Sequence, residues 1–211
     1  MRLIKVAGEG SASAEPDTVR LSFEVQSSAW EYDETIMKLN RRTEDLRANL
    51  TSAGLDRAKL KTTDFGIHVD TTYKGDRRVF NGYRATHRLH IELPMDKALL
   101  NAVLNQIASG HSGAEISMGF SVRDQDVLRK RALTDAVHRA NENAQVMAAA
   151  AGVRIGALAE MHHGAEPERI DGPSMRVYAQ ALSEPDDYHA DIEPQAVRAE
   201  AAVTLVFELA D

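Results

Sequence analysis

The chain has 211 residues, of which 43% are hydrophobic and 27% are charged, a balance typical of one globular domain. It contains no cysteine, which excludes disulfides, thiolate metal sites and cysteine nucleophiles. A net charge of −7 without a basic stripe argues against nucleic acid and anionic membrane surfaces as partners.

The N-terminal segment carries no recognisable targeting signal. The first ten residues, MRLIKVAGEG, lack the apolar stretch of a signal peptide. No apolar run in the chain approaches the roughly 20 residues that a membrane-spanning helix needs. We therefore expect a soluble protein without a membrane span, cytoplasmic as written and periplasmic if a leader was trimmed.

Gly8-Glu9-Gly10 follows a short apolar run, as the glycines of phosphate-binding loops do. Such a loop must lead directly into a helix, whose free N–H groups hold the anion. Here Pro16 and an alternating apolar pattern over residues 19–25 follow instead. We interpret the glycines as a bend or bulge at a strand and expect no nucleotide site.

The first half of the chain predicts a strand, a helix and a hairpin. Ser28 and Glu31 have the spacing of a capping box, which predicts a helix from Ser28 to a cap at Gly54. Alternating apolar residues then predict two strands, over residues 65–73 and 83–93, joined by a turn at residues 74–78.

The second half predicts two more helices and two more strands. Asp96 caps a helix that Gly110 ends, and a strand follows over residues 116–122. The helix at residues 126–151 repeats alanine at every fourth position, a ridge that allows close approach of its own sheet or of a partner subunit. Residues 197–209 form the closing strand. This pattern predicts an α+β fold with a largely antiparallel sheet and long helices packed on one face.

Residues 164–194 differ in composition from the rest of the chain. Between Gly164 and Glu193 there are eight acidic residues and two arginines, so most of the net charge lies here. This segment also holds four of the six prolines, and only residues 175–182 are compatible with a strand. We interpret residues 1–211 as a single domain with an acidic, proline-containing excursion at about 164–194.

Candidate chemistry is sparse. On the hairpin, Asp64 and Asp70 on one strand and Arg84 and Arg88 on the other are expected to form cross-strand pairs. His87 falls among the apolar positions of its strand, which is typical of a hydrogen-bonded core histidine. A metal site is the alternative hypothesis, with candidate ligands in the loop and beside it: His162, His163, His189, Asp186, Asp187 and Asp191.

Five motifs in order resemble the SIMPL domain family. They are Gly8-Glu9-Gly10 followed by Pro16-Asp17, then Gly82-Tyr83-Arg84-Ala85, Gly113-Ala114-Glu115-Ile116, Ala151-Gly152 with Ile155-Gly156, and the closing strand at 197–209. The resemblance covers about residues 3–160 and 192–209. It implies an α+β fold, no established catalytic residues, ring- or barrel-like homo-oligomers, and a loose link to oxidative stress and envelope integrity in bacteria. The missing signal peptide and the long acidic excursion depart from the family pattern.

We therefore hypothesise a non-enzymatic, self-associating scaffold or binding module without a cofactor. The basic hairpin tip is predicted to contact acids of the excursion on a neighbouring subunit; the predicted interaction residues are Lys74, Arg77, Arg78, Glu184, Asp186 and Asp187. One alternative is a metal-binding protein or metal-dependent enzyme that uses His162, His163 and His189. A third hypothesis is an adaptor whose acidic excursion docks a basic protein partner.

Overall fold

The computed structural model describes residues 2–110, 112–163, 169–177 and 192–210. Its strands are β1 Leu3–Ala14, β2 Thr18–Ala29, β3 Lys61–Lys74, β4 Arg77–Pro94, β5 Glu115–Ser121, β6 Arg154–His163, β7 Arg169–Asp171, β8 Ser174–Val177 and β9 Val197–Ala210. Its α-helices are α1 Tyr32–Ser52, α2 Lys97–Ser109 and α3 Gln125–Ala150. None of these helices is long and apolar enough to cross a membrane. Strand pairing is antiparallel, which confirms the predicted α+β class.

The described residues fall into two compact units, each with its own sheet, where the sequence predicted one sheet. One unit joins Met1–Asp17, Ser121–Pro173 and Pro194–Asp211. Its sheet has the order β1-β9-β6, with β7 also paired to β9. The other unit joins Thr18–Phe120 and Ser174–Glu193, and its sheet has the order β3-β4-β2-β5-β8.

In the first unit, α3 packs on β1 and β9 through the predicted alanine ridge. The five ridge alanines are at most 2% exposed: Ala132, Ala136, Ala140, Ala144 and Ala148. A Cβ added at Gly8 would lie 2.5 Å from the N atom of Ala140 and 2.7 Å from its Cβ, closer than real Cβ atoms approach. The ridge therefore packs on its own sheet, and the glycines let helix and strand approach closely.

Gly8 and Gly10 do not form the predicted bend or bulge. The β1–β9 ladder pairs every residue from Leu3 to Ala14 without a register shift. The glycines instead lie within a regular strand, on the face that α3 covers. β1 leads into β2 and not into a helix, so the glycines do not have the strand–glycine–helix arrangement of a phosphate loop.

The outer edge of β1 is covered by polar side chains of α3. The carboxylate of Asp135 accepts a hydrogen bond from the Ser11 backbone N–H at 2.9 Å. The amide of Asn143 donates to the Ala7 carbonyl at 3.0 Å. Since edge strands expose unpaired backbone groups, these two bonds protect the edge against pairing with other strands.

In the second unit, α1 and α2 cover an apolar core on one face of the sheet. The largest fully buried side chains of this core include Phe23, Leu39, Leu46 and Leu89. The predicted capping box is wrong: Ser28 lies in β2, and α1 begins at Tyr32 after the extended Glu31. The predicted cap of α2 is confirmed, because Asp96 accepts hydrogen bonds from the Ala98 and Leu99 N–H groups.

Candidate interaction surface

In the part of the chain that the structure describes, exposed aromatic side chains are concentrated on the β3–β4 hairpin and the adjoining β2–α1 turn. The chain has 11 aromatic residues, and six of them lie in this region. Trp30 is 63% exposed and Tyr73 is 73% exposed. We call this region the hairpin surface and define it by its exposed members: Trp30, Tyr32, Phe65, Val69, Tyr73 and Phe80.

Edge-to-face ring contacts hold part of this surface together. The Trp30 and Phe80 ring centroids are 5.0 Å apart, and those of Phe80 and Tyr83 are 5.5 Å apart. Tyr83 also contacts Tyr32, at the first turn of α1, with centroids 5.7 Å apart. Such pairs are favourable beyond the area they bury, so the rings form an ordered cluster.

An irregularity in β4 places Phe80 beside Tyr83. Val69 pairs with Tyr83 and Thr71 pairs with Phe80, so β4 has one extra residue between these pairs. Gly82 lies there with φ +100°, a conformation that favours glycine. A Cβ at Gly82 would also lie 3.1 Å from the Trp30 Cα, so the missing side chain lets the two backbones approach. The extra residue brings both rings to the same face.

The opposite face of the hairpin carries the predicted cross-strand ion pairs. Arg88 contacts Glu24 at 2.7 Å and Asp64 at 3.0 Å, and Arg84 contacts Asp70 at 3.1 Å. The hydrogen bond from Arg88 is the main reason that the pKa of Glu24 is below its ordinary value. The hairpin thus has one aromatic face and one charged face.

His87 forms the predicted hydrogen bonds at the boundary of the core. Its Nδ1 lies 3.3 Å from the Thr43 hydroxyl of α1, and its Nε2 lies 2.9 Å from the Thr62 hydroxyl of β3. Its ring also contacts Phe65 edge to face, with centroids 5.4 Å apart. Burial, followed by the nearby Arg47 charge, lowers the pKa of His87.

The predicted basic tip is described only in part. β3 and β4 meet at the turn Gly75-Asp76, within the predicted residues 74–78. Arg77 is exposed, and Arg78 Nε donates to the Thr71 hydroxyl at 2.9 Å. The proposed acidic partners Glu184, Asp186 and Asp187 lie outside the described residues. Their contact with Lys74, Arg77 and Arg78 stays a prediction.

The histidines of the metal hypothesis are only partly described. His162 and His163 are adjacent in β6, and His162 Nε2 lies 2.9 Å from Glu160 Oε2. Within the described ranges, no group of three or more potential ligands is placed to hold a metal ion. His189, Asp186, Asp187 and Asp191 lie outside those ranges, so the metal hypothesis stays a prediction.

The hairpin surface does not follow from the sequence pattern, because alternating apolar residues in a strand predict a buried face. Phe65, Val69 and Tyr73 have core parity but are about half exposed or more. A signal was present in the polar Thr71 at the same parity and in Trp30, which lies outside the alternating pattern. Alternation with a period of two residues shows which side chains of a strand lie on the same face. It does not show whether a helix covers that face.

Comparison with known proteins assigns the chain to a family. Residues 4–207 match the SIMPL family, described as "Protein of unknown function (DUF541)". The chain is also 25% identical over 212 residues to "Uncharacterized protein YggE" of Edwardsiella ictaluri (strain 93-146), an alignment that covers 98% of this chain and 86% of that relative. The predicted family is therefore confirmed, and the chain belongs to the SIMPL family.

Proposed function

We propose that this protein is a non-enzymatic scaffold that assembles from copies of itself through the hairpin surface. The observation that carries the proposal is the exposure of six apolar side chains on one hairpin and its adjoining turn. Clustered exposed apolar residues are typical of interaction sites. Aromatic residues in particular are enriched in protein interfaces, because they bury a large area at a small cost in conformational entropy.

The composition of the chain strengthens this argument. Among the described residues, three aromatic side chains belong to the cores and six to the hairpin and its adjoining turn; the three core residues are Phe23, Phe120 and Phe207. Trp30 is the only tryptophan, and it is 63% exposed. Water contact of so many rings is unfavourable, at about 25 cal/mol for each Å² of apolar surface. Association of two copies through this surface removes that cost.

The single tryptophan makes the proposal directly measurable. Tag-free protein is studied over a range of concentrations by sedimentation velocity and by Trp30 fluorescence. We expect the average mass to rise with concentration while the emission of Trp30 shifts to shorter wavelength and its quenching by acrylamide decreases. A monomer at all concentrations, with a fully quenchable tryptophan, contradicts the proposal.

A pair of matched variants locates the association. Phe80→Ser with Tyr73→Ser replaces two aromatic rings of the hairpin surface and is expected to reduce the average mass. Val146→Ser with Met147→Ser replaces two exposed apolar residues of α3 and serves as the control. Equal loss of association in both variants, or in neither, would show that the hairpin surface is not the interface.

The physiological part of the proposal follows from the family resemblance. It assigns the scaffold to stress response or envelope integrity, in the cytoplasm or, after removal of a leader, in the periplasm. Sensitivity of a deletion strain to peroxide and to detergent tests the role. Fractionation of cells tests the location.

A further inference from the structure

β3 has a hydrogen-bonded neighbour on one side only among the residues that the structure describes, because it ends the order β3-β4-β2-β5-β8. β3 is regular from Asp64 to Lys74. Its pairing with β4 has two irregularities: the first inserts an extra residue in β3 before Asp64, and the second inserts an extra residue in β4. A long, regular edge strand is a template for pairing with another strand.

The backbone of this edge is oriented for pairing. The Thr63 hydroxyl donates to the Arg88 carbonyl, so that carbonyl points toward β3. Successive strand residues direct their N–H and C=O groups to opposite sides, and Arg88 pairs with Asp64. The backbone groups of Phe65, Ile67 and Val69 therefore point away from β4.

The side chains of β3 separate by face. Phe65, Val69 and Tyr73 lie on the face shared with Tyr83 and Phe80, where they are 50%, 47% and 73% exposed. His68 and Asp70 alternate with them on the other face. An added strand would thus meet an apolar row on one face and a polar row on the other.

We infer that β3 pairs antiparallel with β3 of a second copy about a two-fold axis at Val69, an interface that rests on the proposed self-association. This register places Val69 opposite itself and Phe65 opposite Tyr73, so aromatic rings meet on one face. On the other face His68 lies opposite Asp70, and Lys74 in the sequence lies opposite Asp64. The two-fold axis repeats every pair except the one at Val69, and the sheets of the two copies join into one continuous sheet.

Charge selects this register over its neighbours. Centring the pair on residue 67 places Asp64 opposite Asp70, and centring it on residue 70 places Asp70 opposite itself; like charges directly opposite are unfavourable. Centring it on residue 68 places Phe65 opposite Thr71 and forms no pair of opposite charges. Among these registers, the one at Val69 alone joins opposite charges and matches aromatic residues.

Single-cysteine crosslinking tests the register, because the chain has no cysteine of its own. Val69→Cys places two thiols at the axis, at a Cα separation of about 5.5 Å that a disulfide can span. Thr72→Cys, three residues along the same exposed strand, is the control, because its two copies lie about 20 Å apart in this register. Copper-phenanthroline oxidation is followed by non-reducing electrophoresis.

We expect Val69→Cys to give at least roughly tenfold more crosslinked dimer than Thr72→Cys at equal concentration. Equal crosslinking of both variants, or none in Val69→Cys, overturns the register. Sedimentation of the same samples before oxidation separates the two proposals. Persistent association without Val69 crosslinking leaves the scaffold proposal in place and rejects the β3 interface, whereas a monomer rejects both.

A charge placed at the axis provides a second, independent measurement. Val69→Lys brings two ammonium groups together in the dimer and is expected to lower the average mass, while Val146→Lys on α3 is expected to retain it. Circular dichroism confirms that both variants are folded. An unchanged mass for Val69→Lys overturns the proposed interface.

Discussion

At the scale of single residues, two glycines determine how closely α3 approaches β1. Gly8 and Gly10 face the alanine ridge, and a Cβ at Gly10 would lie 2.7 Å from the Ala136 Cα. The obstructing atoms belong to backbone and ridge alanines, which have no flexible end to move aside. Any side chain at these positions must separate the helix from the sheet.

Gly8→Ala and Gly10→Ala are each expected to lower the free energy of unfolding by about 1–3 kcal/mol, the usual cost of overfilling a packed core. Urea denaturation followed by circular dichroism measures the change. Gly119→Ala is the control, because a Cβ there meets no atom within 4 Å in the described part of the chain. A Gly8→Ala protein as stable as this control would contradict the close packing.

His87 is expected to make the second unit sensitive to acid. Burial lowers its pKa, so below about pH 6.5 the unfolded chain takes up a proton that the folded chain resists. Its contribution to stability is therefore complete above that pH and is lost as the pH falls through the lowered pKa. His87→Gln is expected to lose less stability between pH 7 and about pH 5, as measured by urea denaturation.

His138→Gln, which exchanges an exposed histidine of α3, is the matched control and should keep the acid-side loss of the original protein. The same pH dependence in His87→Gln would show that another group is responsible. Carboxylates titrate mostly below this range, which keeps the comparison interpretable.

At the scale of elements, α3 both packs against β1 and protects its edge. The Ser11 N–H is the main reason that the pKa of Asp135 is below its ordinary value, and Arg139 adds to the effect. A lowered carboxylate pKa contributes stability above the unfolded value and loses it as the pH falls through the folded value. The helix thus supplies an acceptor where a neighbouring strand would otherwise be needed.

Asp135→Asn is expected to weaken this bond, because a neutral amide oxygen is a poorer acceptor than a carboxylate. Hydrogen exchange of the Ser11 amide, followed by NMR, should become faster, and the stability loss of the original protein at low pH should become smaller. Asp126→Asn, near the start of the same helix, is the control. Unchanged Ser11 exchange in Asp135→Asn would contradict the assignment of Asp135 as the edge cap.

At the scale of the whole molecule, charge is expected to contribute to assembly alongside the hairpin surface. The sequence places basic residues at the hairpin tip and acids in residues 164–194. If these meet between subunits, the average mass should decrease when salt shortens the screening length from about 10 Å at 0.1 M to about 3 Å at 1 M. Sedimentation velocity in both salts measures the change.

Arg77→Ala with Arg78→Ala should remove most of this salt dependence while leaving the apolar contribution. A monomer in both salts contradicts the prediction, as does an assembly that salt does not affect. The arginine variant also separates the tip contact from the β3 interface, because Arg77 and Arg78 lie in β4 and not in the paired strand β3.

Much of the fold could be predicted from local patterns, and the errors have identifiable causes. The capping pattern predicts that α1 starts at Ser28, but that residue continues β2 opposite Arg84, because pairing with β4 overrides the local pattern. β6 was not predicted, because most of its residues are exposed and lack an alternating apolar pattern. In the structure β6 is a strand because it pairs with β9, which lies far from it in the sequence.

The polar contacts of the candidate site could be predicted from the sequence, but its exposed apolar surface could not. The cross-strand ion pairs and the bonded His87 followed from parity along the strands, which local sequence determines. The hairpin surface could not be predicted in this way, because the exposure of its side chains depends on how much of the sheet α1 covers, and α1 begins only at Tyr32. Phe65 and Phe23 lie on the same face of the sheet, yet Phe65 is 50% exposed and Phe23 is 1% exposed.

The sequence by itself determined the antiparallel α+β class, the alanine ridge and the SIMPL pattern, because periodicity and spacing are local properties of the chain. Tertiary structure alone decided that α3 packs closely on Gly8 and Gly10, that the strands divide into two sheets, and that β3 is the last strand of one of them among the described residues. Those outcomes depend on packing between segments far apart in sequence, and a strand's own residues cannot specify which side of it remains without a partner.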